Sequence, residues 1–90
     1  MKFETILITG GTGSFGNQIT YHLLNHTDTK KVIIYSRDEF KQYKMALKYK
    51  HNPRLKFMLG DVRDEKRLVE AMHEVDLVYH AAALKQVPAC

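Results

Sequence analysis

The chain has 90 residues, 14 basic and 10 acidic side chains for a net charge of +4, 44% hydrophobic positions and one cysteine, the composition of one compact domain. With its lone cysteine at position 90 it holds no internal disulfide, which excludes a disulfide-stapled secreted scaffold. No apolar run nears the roughly 20 residues that cross a bilayer, and Met1-Lys2-Phe3-Glu4 opens no signal-peptide core, so no membrane insertion and a cytoplasmic location are expected.

Thr5-Ile6-Leu7-Ile8-Thr9 reads as a strand buried on both faces and stopped by Gly10-Gly11. After Gly16, Ile19, Leu23 and Leu24 recur at helical spacing until the polar run Asn25-His26-Thr27-Asp28. Lys31 to Ser36 is a second strand, followed by a helix capped by Asp38, with Phe40, Tyr43 and Leu47 along one side and Asn52-Pro53 as its stop. Leu55 to Leu59 is a third strand. Asp64 caps a third helix that packs Leu68, Met72 and Val75, and Asp76 to Ala81 is a fourth strand.

This βαβαβαβ alternation implies right-handed crossovers and a parallel sheet covered on both faces, hence an α/β fold. A Gly-rich turn after the first strand predicts a Rossmann-type doubly wound sheet of order 3-2-1-4, with ligands bound beside the first and fourth strands. Such a sheet normally continues past its fourth strand, so the chain is expected to be the first part of a larger fold with an open apolar edge.

Six bases and no acid occur between Phe40 and Gly60: Lys41, Lys44, Lys48, Lys50, Arg54 and Lys56. They read as a solvated helix face, since Lys41, Lys44 and Lys48 fall at i, i+3 and i+7, and no nucleic-acid partner is expected.

Within Thr9-Gly10-Gly11-Thr12-Gly13-Ser14-Phe15-Gly16, the glycines at 11, 13 and 16 satisfy G-x-G-x-x-G between a buried strand and a helix. There the missing Cβ atoms let backbone approach a pyrophosphate, and the helix start supplies N–H groups and positive potential. A tight turn without ligand is the structural alternative. About 20 residues past the glycines, where a carboxylate would take the ribose hydroxyls of NAD, the chain has Ser36 followed by Arg37. A hydroxyl and a guanidinium suit a 2′-phosphate, with Lys41 one turn on, so NADP is favoured over NAD. Asp61 and Val62 could hold an adenine by its amino group and ring face, or serve only as a turn. Ala81-Ala82-Ala83 admits a ribose and nicotinamide or simply packs. The five histidines have no metal-site spacing, and neither Cys90 nor Ser14 has a partner that would make it a nucleophile.

The segments TGGTGSFG, YSRDE, GDVRD and HAAALKQVP, in this order, resemble the extended short-chain dehydrogenase/reductases. Within these the chain is similar to the bacterial polysaccharide-biosynthesis branch of UDP-N-acetylglucosamine 4,6-dehydratases and capsular UDP-sugar 4-epimerase-like proteins. The glycine pattern marks the superfamily, whereas Ser36-Arg37-Asp38-Glu39 with Ala83-Leu84-Lys85-Gln86-Val87-Pro88 marks the branch. The resemblance implies that residues 1–90 are the N-terminal part of an NADP-binding domain. Thr12, Gly13, Ser14 and Phe15, in the turn framed by Gly10 and Gly16, would hold the pyrophosphate. Ser36, Arg37, Asp38, Glu39, Phe40 and Lys41 would surround the 2′-phosphate and adenosine, and Asp61 and Val62 the adenine. Ala81 would border the nicotinamide ribose, and Lys85 would face both cofactor and UDP-sugar.

The implied reaction removes hydride from sugar C4 to NADP⁺, loses water across C5 and C6, and returns hydride to C6. An epimerase returns it to the other face of C4 instead. Gln86, where other members often carry His, leaves dehydratase or epimerase open. The family's catalytic residues fall beyond position 90, so no catalytic residue is assigned and the chain alone is expected to be inactive. The resemblance further implies a homo-oligomeric full-length protein, and a stand-alone nucleotide-binding module or remnant is the non-enzymatic alternative.

Overall fold

Four strands and three helices alternate along residues 4–80, the part of the chain that this computed structural model describes. Ala81, which the sequence places at the end of the fourth strand, and Lys85 lie outside the described residues. β1 (Thr5–Thr9), β2 (Lys31–Ser36), β3 (Leu55–Leu59) and β4 (Leu77–His80) form a parallel sheet of order β3-β2-β1-β4. The register sets Thr9 opposite Tyr35 and His80, and Ser36 opposite Leu59, so the carboxyl ends of the strands finish together.

Side-chain alternation divides the core between two faces. Ile6, Ile8, Val32 and Ile34 pack with Leu23 and Leu24 of α1 (Ser14–His26) and Met45 of α2 (Glu39–Lys48). Leu7 and Tyr35 pack on the opposite face with Ala71 and Leu68 of α3 (Glu65–Ala71). Both faces of β1 and β2 are therefore buried, which is why their sequences are nearly continuous apolar runs. β4 is different: Val78 and Tyr79 remain exposed, and only β1 flanks it among the described residues.

Four details depart from the sequence expectations. Phe40, Tyr43 and Leu47 do share one side of α2, but it is the solvent side, where the Lys44 ammonium stands over the Phe40 ring. The buried side carries Gln42 and Met45. α2 also ends before Asn52-Pro53, because Lys50 and His51 adopt φ of 55° and 53° and turn the chain back toward β3. In α3 the helix stops at Ala71, leaving Met72 as an exposed cap. Asp76 precedes β4 rather than joining it, and its carboxylate accepts from the backbone N–H groups of Glu4 and Thr5, both at 2.9 Å.

Arg54 changes the meaning of the basic run. Its guanidinium donates to the carbonyls of Leu23, Leu24, Thr27 and Thr29 at 2.8–3.3 Å, satisfying the C-terminal end of α1. Lys41, Lys44 and Lys48 are exposed on α2, as a solvated face requires.

Candidate functional site

The turn after β1 begins at Gly10, whose φ of 65° favours glycine, and whose N–H donates to the Tyr35 carbonyl at 2.8 Å. Gly13 is the N-cap of α1 and has no side chain with which to cap it. The first N–H groups of the helix, which lack intrahelical acceptors, therefore face the turn. Gly16 lies inside the first turn of α1 rather than before it, and it is buried; a Cβ there would overlap the Gly11 backbone. Asn17 fastens the loop from within the helix, its amide donating to the carbonyls of Thr12 at 3.1 Å and Gly13 at 3.0 Å. The Tyr49 hydroxyl in turn donates to the Asn17 carbonyl.

A cleft of ≈ 740 Å³ opens in front of this turn, lined by Gly10, Thr12, Gly13, Ser36, Arg37, Asp38, Lys41, Asp61 and Val62. All nine were expected from sequence. The structure adds Tyr35, Gly60, Arg63 and His80 to the same wall. Ser14 borders a shallower depression with Asn17 and Lys48, and Phe15 is partly exposed. Glu39 and Phe40, at the start of α2, are exposed and do not line this cleft.

Ser36 is nearly buried, and its Oγ accepts from the Gln42 amide at 3.0 Å. That bond uses an oxygen lone pair, so the Ser36 O–H can still donate. Gln42 also donates to the Met58 carbonyl at 3.1 Å, tying the ends of β2 and β3 together. Asp38 is engaged as the α2 cap, its carboxylate accepting from the Lys41 N–H at 3.0 Å, as its position before the helix predicts.

Asp61 is the electrostatic centre of the far wall. Arg63 donates to it from its backbone N–H at 2.9 Å, from Nε at 3.2 Å and from Nη2 at 2.9 Å. Arg37 approaches the same carboxylate from β2 with Nη1 at 3.6 Å. The Arg63 hydrogen bonds, helped by the charges of Arg63 and Arg37, hold the Asp61 carboxyl well below the usual carboxylate range despite some desolvation. Behind it, burial and nearby carboxylates raise the Tyr35 hydroxyl, which donates to the Asp61 carbonyl at 2.9 Å. At the opposite end of the cleft, the Thr9 hydroxyl is hydrogen-bonded to His80 Nδ1.

The arrangement can receive an elongated anion. Open helix N–H groups face one end, and two cations flank the other: Arg37, whose ion pair with Asp61 is a long 3.6 Å, and Lys41. These groups fit a dinucleotide laid across the strand ends, with its pyrophosphate at the Gly13 turn and its adenosine beside Arg37 and Asp61. No cluster of three or more metal-ligating side chains occurs among the described residues.

Comparison with known proteins agrees with this geometry. The chain is 54% identical over 90 residues to a UDP-glucose 4-epimerase of Rickettsia felis, covering 97% of this chain and 26% of that protein. It is also 54% identical over 85 residues to an inverting UDP-N-acetylglucosamine 4,6-dehydratase of Campylobacter jejuni, covering 94% and 25%. The chain thus spans about a quarter of the length of these relatives. Among solved structures, Pen from Bacillus thuringiensis superposes with a TM-score of 0.81 at 32% identity, over 86% of this chain and 24% of that one. A short-chain dehydrogenase/reductase from Veillonella parvula shares the fold with a TM-score of 0.75 at 20% identity, over 88% and 35%. The model of the polysaccharide biosynthesis protein family matches residues 6–90, and with the 3-2-1-4 sheet and the glycine turn already in place, the chain belongs to that family.

Proposed function

We propose that these residues form the NADP-binding portion of a UDP-N-acetylglucosamine 4,6-dehydratase acting in surface polysaccharide biosynthesis. The carrying observation is one cleft lined by Ser36 and Arg37 at the end of β2 and by Lys41 in the first turn of α2, with Ser36 and not a carboxylate at the position that takes ribose hydroxyls. The nicotinamide would accept hydride from sugar C4 and later return it. This chain's own residues bind and orient: the Gly13 turn takes the pyrophosphate, Arg37 and Lys41 the 2′-phosphate, and Asp61 and Val62 the adenine. By the family resemblance, Ala81 would border the nicotinamide ribose and Lys85 would face cofactor and UDP-sugar, both outside the described residues. None of the residues assigned here is placed to move protons at C4 or C5, so the expected outcome for these 90 residues alone is cofactor binding without turnover.

The test is a titration of NADPH and NADH against the chain and its Arg37→Ala variant. A charge-assisted hydrogen bond contributes about 1.5–3 kcal/mol, so NADPH affinity falls about 10- to 150-fold while NADH affinity barely changes. Equal losses for both would refute a phosphate-reading Arg37. A UDP-sugar 4-epimerase is the second reading, favoured by the 54% identity to the Rickettsia protein. In a longer protein beginning with these 90 residues, NMR separates the two: a 4-keto-6-deoxy product supports the dehydratase, and a C4-inverted UDP-sugar the epimerase.

A further inference from the structure

The Asp61 carboxylate is a shared partner. A carboxylate offers about four acceptor positions. Arg63 occupies three of them with its N–H, Nε and Nη2, while Oδ2, which takes Nη2, also faces Arg37 Nη1 at 3.6 Å. Arg63 thus holds the carboxylate by a fork of two guanidinium bonds, whereas Arg37 makes only a longer ion pair with it. Resting on the NADP reading above, we infer that Arg63 is a positioning residue for cofactor choice. By occupying three of those positions, it keeps the Arg37 ion pair long and limits the repulsion of a 2′-phosphate in the same cleft. Without Arg63 the carboxylate has acceptor positions to fill, and the nearest guanidinium is Arg37. The residue meant to read the phosphate would then be drawn across the cleft toward β3. Both guanidiniums meet at Asp61 Oδ2, so Arg63 acts on Arg37 through the carboxylate.

The experiment measures NADPH and NADH dissociation constants by titration for the unaltered chain, Arg63→Gln, Arg63→Lys, Arg37→Ala and the Arg37→Ala/Arg63→Gln double variant. Arg63 has a side chain 79% exposed, so each fold is expected to persist, which circular dichroism checks. Arg63→Gln should weaken NADPH by about three- to fivefold and NADH by less than twofold, at the upper end of the range of exposed ion pairs. Arg63→Lys, which keeps the charge but not the fork, should recover part of the loss. In the Arg37→Ala background, Arg63→Gln should leave the NADPH:NADH ratio unchanged. An additive loss in the double variant would overturn the inference by showing that Arg63 meets the phosphate itself. An unchanged ratio in the single variant would overturn it while leaving the NADP reading intact. Failure of the unaltered chain to prefer NADPH would instead remove the reading on which it rests, and the inference with it.

Discussion

Asn17 offers the sharpest test of the phosphate turn, because its amide is the side chain that holds the loop to the helix. Both amide hydrogens are used, on Thr12 O and Gly13 O. Asn17→Asp keeps the shape and replaces two donors with an ionised acceptor facing two carbonyl oxygens. Two net hydrogen bonds amount to about 1–3 kcal/mol, or about 5- to 150-fold in affinity if the whole loss falls on the loop geometry that binds pyrophosphate. The new charge lies in the first turn of α1, which has no acidic residue, and there it favours the helix by about 0.3–1 kcal/mol. That gain offsets only part of the lost hydrogen bonding, so stability should fall modestly while NADPH and NADH affinities fall together by at least about fivefold. Titration at two salt concentrations separates the causes. Asn17→Asp repels the phosphates and should recover partly at high salt, whereas Asn17→Ala, which only frees the loop, should not. A folded Asn17→Asp variant that binds both dinucleotides as tightly as the unaltered chain would refute the assignment of this turn to pyrophosphate.

Arg54→Ala should destabilise the chain by about 2–4 kcal/mol in urea unfolding, since three carbonyls at the end of α1 and that of Thr29 lose a charged donor, and Arg54→Lys should recover less than half. Complete recovery by Lys would show that charge alone matters. Gly16→Ala should lower stability by about 1–3 kcal/mol and weaken both dinucleotides, because the added Cβ forces the Gly11 backbone away from α1. Unaltered unfolding and binding curves would show that the turn relaxes at no cost.

What could be read without coordinates was local or repetitive. β1 and β2 show as apolar runs because both their faces are covered, and Asp38 and Asp64 mark helix starts because a cap acts within three residues. The glycine turn is legible for the same reason: Gly10 needs its positive φ and Gly16 its contact with Gly11, whatever lies elsewhere. The face of α2 was not legible. Phe40, Tyr43 and Leu47 keep helical spacing as well as Gln42 and Met45 do, and hydrophobicity favours the wrong stripe. Gln42 is inside because its amide meets Ser36 and the Met58 carbonyl, partners that only strand pairing supplies.

The candidate site divides along the same line. Its near wall, from Gly10 to Gly13 and from Ser36 to Lys41, could be named from spacing because each part sits at the end of one strand. On the far wall Asp61 and Val62 could also be named, but their neighbours required the sheet. Tyr35 reaches the Asp61 carbonyl across 26 positions, and His80 meets Thr9 across 71, so neither contact leaves a mark in the nearby sequence. The fork of Arg63 on Asp61 is local, two residues apart, but its bearing on Arg37 arises only because parallel pairing of β2 with β3 places their carboxyl ends side by side. The sequence by itself determined the βα alternation and the chemistry at each strand end. Tertiary structure decided which of those ends share one cleft, because register and crossover handedness are properties of the packed sheet and not of any single segment.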